Sequence, residues 1–125
     1  MPRPSEHLVA VTDLLRQAPG PLSAHEIHED LAHTGIGLAT VYRLVKRGVE
    51  AGQFIAVDIP NGPTHYEPSD RPHHHHFECT SCHRVFDIEG CPGHFDELTP
   101  EGFTLESHEV FLRGRCDACS EEGKA

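Results

Sequence analysis

The run His73-His74-His75-His76-Phe77-Glu78-Cys79-Thr80-Ser81-Cys82 constrains this chain more than any other stretch. It sets four adjacent imidazoles two residues ahead of a Cys-x-x-Cys pair. In an extended strand successive side chains point to opposite faces, so His74 and His76 face one way and His73 and His75 the other. A single short strand can then feed metal sites on both faces while delivering a pair of thiols to a further one. A second pair, Cys116-Asp117-Ala118-Cys119, stands near the C-terminus. Two such pairs supply the four-thiolate set of a closed, tetrahedral structural zinc site. The histidine run lies between Pro72 and Phe77, not at a terminus where an expression tag would sit.

The N-terminal Met1-Pro2-Arg3-Pro4 leads into an amphipathic segment, with no apolar signal core and no membrane-length run. This predicts a cytoplasmic chain with no membrane partner, where paired Cys-x-x-Cys motifs hold metal rather than a disulfide. A length of 125 residues allows one domain or two very small ones, and modules of about 60 residues commonly lean on a metal or a partner chain. The net charge of −10 argues against indiscriminate nucleic-acid binding, but the charge is uneven. Residues 1–62 carry seven Asp/Glu against five Lys/Arg; residues 63–125 carry thirteen against five, with eight of the twelve His. Two compositions suggest two jobs.

Ser5 is read as the N-cap of a first helix, with Leu8, Val11, Leu14 and Leu15 at helical spacing, ended by Pro19-Gly20-Pro21. Ser23-Ala24-His25-Glu26 is a capping box opening a second helix with Ala24, Ile27 and Leu31 on its core face. A third helix runs from about Leu38 to Ala51 and buries Leu38, Val41, Leu44, Val45 and Val49. Its opposite face presents Ala39, Thr40, Tyr42, Arg43, Lys46 and Arg47. Most charge clusters are solvated faces, yet a basic, Thr- and Tyr-bearing third helix is the arrangement of helix-turn-helix DNA readers. Strands at Gln53–Asp58 and Thr64–Glu67, joined by Pro60-Asn61-Gly62-Pro63, then complete a winged helix. Pro68-Ser69-Asp70-Arg71-Pro72 reads as a stiff polar linker.

Beyond it come the metal strand His73–Cys79, a half-buried strand at Arg84–Ile88, and a turn or two of helix at His94–Leu98. A long strand is predicted over Phe103–Leu112, and Ser120–Ala125 reads as a frayed tail. The predicted fold class is therefore α+β. Residues 1–67 are expected to form a winged helix and 68–72 a linker; 73–125 are expected to form a small metal-binding domain with a mainly antiparallel sheet and the four-Cys zinc site.

These pieces together resemble the ferric uptake regulator family. The matching residues are Gly37-Leu38-Ala39-Thr40-Val41-Tyr42-Arg43, the run His73-His74-His75-His76-x-x-Cys79-x-x-Cys82, and His108 followed by Cys116-x-x-Cys119. The resemblance implies a homodimeric, metal-responsive repressor that binds double-stranded operator DNA, with residues 1–67 as the winged-helix DNA-binding domain, 68–72 as the hinge and 73–125 as the dimerisation and metal-binding domain. It implies structural Zn²⁺ on Cys79, Cys82, Cys116 and Cys119. It implies a regulatory site of Glu67, His74, His76 and Asp87 at the hinge, taking a second divalent ion, and a further dimerisation-domain site of His73, His75, His94 and His108. The strand alternation divides the four histidines in the same way. Many relatives carry a carboxylate at the place of His94, so this third site is expected to be all-imidazole. The chain also departs from the family pattern. It starts later, with His7 near the place of a basic arm residue, and it has Pro21 where many iron and peroxide sensors place a regulatory His. Whether His25, His28 or His65 substitutes stays open, and no Cys stands near Glu67.

In the mechanism so implied, metal fixes the two domains relative to each other and the two third helices fit successive turns of a palindromic operator. Tyr42 contacts a base, Arg43 a base or phosphate, and Lys46 and Arg47 hold phosphates. Two nitrogens and two oxygens suit Zn²⁺, Fe²⁺ or Mn²⁺, with zinc placed first, iron and manganese behind it, and a peroxide-sensing role through iron as a variant. A zinc hydrolase is the rival from another class, since His76-Phe77-Glu78 reads as the His-x-Glu of nucleobase deaminases. That motif needs a downstream Pro-Cys-x-x-Cys, and Arg115 precedes the later pair; four thiolates also leave no open position for water. A metal-storage protein accounts for the histidines but not the winged helix. The chain is read as a regulator, not an enzyme. Cys91 is left over, read as a partly buried small residue.

Overall fold

The structure, a computed structural model, describes residues 3–72, 74–91 and 93–122. The chain divides into two compact units, one running to Arg71 and one beginning at Pro72.

The first unit opens with α1, Pro4–Gln17. Ser5 is not its N-cap. The helix starts earlier, with Arg3 at the cap and Pro4 in the first turn, because proline's fixed φ and missing N–H suit the first helical position. Val11 and Leu15 on its inner face are fully buried. Its C-terminal carbonyls are closed by Arg71, whose guanidinium donates to Leu15 O at 2.6 Å and Ala18 O at 3.2 Å. Strand β1, Leu22–Ser23, leads directly into α2, Ala24–Asp30. The capping box forms as its sequence predicts: Glu26 N–H donates to Ser23 Oγ at 3.2 Å and Ser23 N–H to Glu26 Oε1 at 2.9 Å. A 3-10 turn at Ala32–Thr34 ends at Gly35, whose φ of 78° needs a residue without Cβ strain.

Helix α3 then runs Leu38–Glu50 and buries Val41, Leu44, Val45 and Gly48. Val49, expected inside, lies at the edge; Gly48 takes the inward place because Phe54 packs against the helix backbone there. Strands β2, Phe54–Val57, and β3, His65–Pro68, form the wing. β3 is central, antiparallel to β1 (Leu22 opposite Tyr66) and to β2 (Phe54 opposite Pro68). The core of this unit is one cluster built from α1, α2, α3 and Phe54. The stretch read as a linker is tied in as well. Ser69 N–H donates to Gln53 O at 3.0 Å and Ser69 Oγ to Gly52 O at 2.6 Å, while Arg71 holds α1. Asp70 pairs with the Arg16 guanidinium at 3.3 Å, so the side chains of Ser69, Asp70 and Arg71 each have a partner in this unit.

The second unit contains β4, His75–Cys79; β5, Val85–Ile88; β6, Phe111–Gly114; and α4, Asp117–Glu122. β4 is central. It is antiparallel to β5, with His76 opposite Asp87, and parallel to β6, with Cys79 opposite Gly114, so this small sheet is mixed. The long strand expected over 103–112 shortens to β6. Side-chain alternation marks a strand only where a partner edge supplies hydrogen bonds, and β6 comes into register with β4 only from Phe111. Ser120 to Glu122 belong to α4 rather than to a frayed tail, since Ser120 N–H closes a helical turn on Cys116 O at 2.8 Å. The rest of the tail lies outside the described residues.

Candidate metal centres and nucleic-acid face

β4 and the β6–α4 junction bring the two Cys-x-x-Cys pairs together. The sulfurs of Cys79, Cys82, Cys116 and Cys119 all lie within 4.8 Å of one another, and Cys82 and Cys116 are 3.9 Å apart. Sulfurs sharing a tetrahedral Zn²⁺ at about 2.3 Å sit about 3.8 Å apart, so Cys82 and Cys116 already stand at that spacing and the remaining thiols lie within about 1 Å of it. None of the cysteines is in a disulfide. Burial pushes the Cys79 thiol up, but the backbone N–H groups of Cys82, Cys116 and Ser81 outweigh it and lower it to about 6. Two of those donors, Cys82 N–H and Cys116 N–H, stand 3.4 Å from Cys79 Sγ. Cys119 is pushed up to about 12 by its hydrogen bonds to Cys116 and Cys79. Cys82 is raised too, first by burial. The first negative charge of the set therefore resides on Cys79, where the amides point.

On one face of β4, His74 and His76 meet Asp87 of β5. Their Nε2 atoms stand 3.4 Å and 3.5 Å from Asp87 Oδ1, and the two rings are 4.9 Å apart, edge to face. N–H···O hydrogen bonds cluster near 2.9 Å. Nitrogen and oxygen ligands on one tetrahedral ion, each about 2.0–2.1 Å from it, are separated by about 3.4 Å. The observed spacing matches the second case. His74 Nδ1 bonds to Pro72 O at 2.7 Å, the backbone partner that orients a ligating ring through its other nitrogen. Glu67 lies on β3 of the first unit, fully buried, 3.9 Å from Arg71 Nη1.

The third expected set is only partly assembled. His75, on the other face of β4, and His108 come together with rings 5.2 Å apart. His94 is exposed, in the left-handed region at φ 60°, and outside this cluster; His73 lies outside the described residues. Cys91, exposed rather than the partly buried residue expected, stands in the cluster instead, its Sγ 3.2 Å from His108 Nε2. Sequence reading missed it, since neither spacing nor periodicity links Cys91 to His108; its one signal was an unassigned thiol in a His-rich half.

Of the residues open as extra ligands, His65 is held inside the first unit by Pro63 O at 2.8 Å and Glu26 Oε1 at 3.2 Å. The basic face of α3 forms as expected. Ala39, Tyr42, Arg43, Lys46 and Arg47 are exposed, and half-buried Thr40 accepts from Arg43 Nη2 at 3.0 Å. Tyr42 is 46% exposed, with the His25 ring edge-on to it at 6.3 Å. Such a helix presents an aromatic and three cations outward, which is the chemistry of major-groove and phosphate contact. Among the described residues, no helix is long and apolar enough to cross a membrane.

Comparison with known proteins bears on the same features. The family model described as "Ferric uptake regulator family" matches residues 3–113. The ferric uptake regulation protein of Bordetella parapertussis is 36% identical over 105 residues, 78% of this chain and 74% of that relative. The crystal structure of the Vibrio cholerae ferric uptake regulator superposes with a TM-score of 0.70 at 28% identity, covering 88% of both chains. A zinc-bound manganese uptake regulator shares the fold, with a TM-score of 0.78 at 24% identity over 92% of this chain and 91% of that one. With two thiol pairs converging, two imidazoles and a carboxylate at metal-ligand spacing, and a basic third helix before a wing, this chain belongs to the ferric uptake regulator family, whose members are metal-responsive, DNA-binding, dimeric transcription regulators and not enzymes.

Proposed function

We propose that this chain is a homodimeric, cytoplasmic repressor that binds a palindromic operator when a divalent ion occupies the set Glu67, His74, His76 and Asp87. The observation that carries the reading is the spacing of His74, His76 and Asp87, too long for good hydrogen bonds and suited to a shared ion. Cys79, Cys82, Cys116 and Cys119 are proposed as the ligands of a structural Zn²⁺, and a further site is proposed on the opposite face of β4.

When bound, the regulatory ion supplies a charge that neutralises Asp87 and Glu67 and crosslinks their segments. In this reading Glu67 and Asp87 answer to the same ion, and the hinge read at residues 68–72 narrows to the junction after Arg71, because Ser69 and Arg71 are bonded into the first unit. A coupling of about 1–3 kcal/mol between ion and operator suffices for a useful switch. Tyr42 reads a base and Arg43 a base or phosphate. Lys46 and Arg47 hold phosphates, so affinity falls steeply with salt. The exposed Leu98, Phe103, Leu105 and Leu112 give the second unit apolar surface of the kind a second copy covers.

The sensed ion is proposed as Zn²⁺, which stands ahead of Fe²⁺ and Mn²⁺ in affinity at a nitrogen–oxygen site. Iron is the second reading, favoured by the relatives named for ferric uptake. The test is selection of duplexes from a random-sequence library by the full chain under anaerobic conditions, without added metal and with Zn²⁺, Fe²⁺ or Mn²⁺. Enrichment of a palindrome with one ion confirms the switch and identifies the ion; equal enrichment without metal refutes it.

A further inference from the structure

The sequence leaves Cys91 without a role, and the structure sets it beside two histidines. Cys91 Sγ, His75 and His108 place their ligand atoms within 4.8 Å of one another, and the Cys91–His108 contact is 3.2 Å. A thiolate sulfur and an imidazole nitrogen on one tetrahedral Zn²⁺ are about 3.5 Å apart, so this pair needs to open by only a few tenths of an ångström. The imidazoles are held in place. His75 is fixed by burial, and Phe95 packs on His108 with ring centroids 4.5 Å apart; in the unloaded site His75 Nδ1 accepts Val110 N–H at 3.2 Å, a bond that loading exchanges for the ion. His94, the other candidate, is exposed and outside the group.

We propose that Cys91 is a metal ligand, forming with His75 and His108 a thiolate–bis-imidazole site for Zn²⁺ or a similarly thiophilic divalent ion. On loading, the Cys91 thiol gives its proton to solvent as the sulfur–metal bond forms. Three protein ligands leave one tetrahedral position for water or a further residue. The thiolate changes what the site selects. An all-imidazole set is borderline, whereas a sulfur ligand favours Zn²⁺ or Co²⁺ over Mn²⁺ and Mg²⁺. It also changes what the site ties together: β4, the turn after β5, and residue 108 of a segment outside the sheet ladders. The regulator reading gives this site its use, but the site stands on these contacts alone.

The test uses the full chain with its retained zinc, titrated with Co²⁺. Additional sulfur-to-cobalt charge-transfer absorption is expected beyond the retained zinc, absent in Cys91→Ser and His108→Ala and kept in His94→Ala. Absorption unchanged in Cys91→Ser, or lost in His94→Ala with Cys91→Ser unaffected, overturns the assignment. Wild-type protein gives a second readout that needs no variant. Zn²⁺ is expected to slow iodoacetamide alkylation of Cys91, read by peptide mass spectrometry, on the order of tenfold, because metal-bound sulfur is a poorer nucleophile than free thiolate. Equal alkylation with and without Zn²⁺ overturns the proposal. The Val110 amide is the third. Whichever nitrogen of His75 takes the ion, Nδ1 stops accepting, so the Val110 N–H resonance is expected to shift on loading; an unmoved resonance refutes ligation by His75. None of these readouts involves DNA. Metal-independent operator binding with Cys91 protected would fail the regulator reading alone.

Discussion

Replacing Gly48 by Ala sets two effects against each other on the helix that carries the basic face. In a helix interior Ala is favoured over Gly by about 1 kcal/mol. A Cβ at position 48, however, meets Phe54 Cε2 at 2.5 Å and Cδ2 closer still. Carbon atoms in good contact sit about 3.5–4.0 Å apart, so the ring must retreat by at least about 1 Å. Phe54 has nowhere to go, being 3% exposed in the core and fixed in the wing opposite Pro68. Overpacking of this kind costs about 1–3 kcal/mol, or more when backbone moves. The net expectation is a loss of about 0–2 kcal/mol, toward the upper end because Phe54 is enclosed, and for a unit of this size each kcal/mol lowers the melting temperature by about 4–8 °C. The chain has no Trp and its two tyrosines, Tyr42 and Tyr66, both lie in the first unit, so tyrosine fluorescence during a thermal melt reports that unit selectively. Pairing Gly48→Ala with Phe54→Leu closes a double-mutant cycle, and there the cost of Ala should shrink or change sign. If Gly48→Ala alone melts at or above the parent temperature, helix propensity has won and the close packing of helix on wing is not a constraint.

Asp87→Ala removes the carboxylate shared by His74 and His76 and should weaken the regulatory ion by at least about tenfold while one zinc per chain is retained, read by isothermal titration and elemental analysis. Ser23→Ala removes the oxygen that accepts Glu26 N–H and should cost about 1 kcal/mol in the same tyrosine-detected melt. Loading the metal-free four-thiol site at pH 7 should release protons mainly from Cys82 and Cys119, whose thiols are raised, and few from Cys79, lowered to about 6. Since the metal-free form binds more protons than the loaded one, zinc affinity rises with pH and falls more steeply below about 6, which calorimetry in buffers of different ionisation enthalpy can follow. Stripping zinc with a strong chelator should unfold the second unit first, seen as fast amide exchange over β4–β6 while the tyrosine signal stays native.

The winged helix was legible because its signals are local. A capping box, a helical apolar stripe and a Pro-Asn-Gly turn each act within a few residues, and Ser23–Glu26 and the exposed face of α3 formed where these signals put them. The grouping of the cysteines was legible from chemistry, since two Cys-x-x-Cys pairs in one short chain match the four-thiolate set of a structural zinc site. What the sequence hid depends on partners distant in the chain. Gly48 faces inward because of Phe54; β6 begins at Phe111 because of β4; Cys91 matters because of His108. The mistaken N-cap at Ser5 came from weighing a side chain above a backbone constraint, the fixed φ of Pro4.

The two units differ in what holds them. The buried apolar cluster is confined to the first, where α1, α2, α3 and Phe54 interlock. In the second, the fully buried apolar side chains reduce to Cys79 and Val85 among the described residues, while Leu98, Phe103, Leu105 and Leu112 face outward at 45–78% exposure. A unit of about 50 residues with so small a core does not offset the entropy of its own ordering. Something else must supply the difference, and the residues present suggest what: metal-binding free energy, which in small domains is folding free energy, and burial of the outward apolar row against another surface. Under the proposed metal reading, the histidine run and the cysteine pairs are structural before they are regulatory. A unit that is ordered only when its ligands are occupied is already a sensor, and coupling its order to a pre-formed winged helix requires only that some ligands answer to a scarce ion while others hold theirs permanently. The four thiols, closed and tight, suit the permanent role; the His74–His76–Asp87 set, with harder ligands, suits the exchanging one.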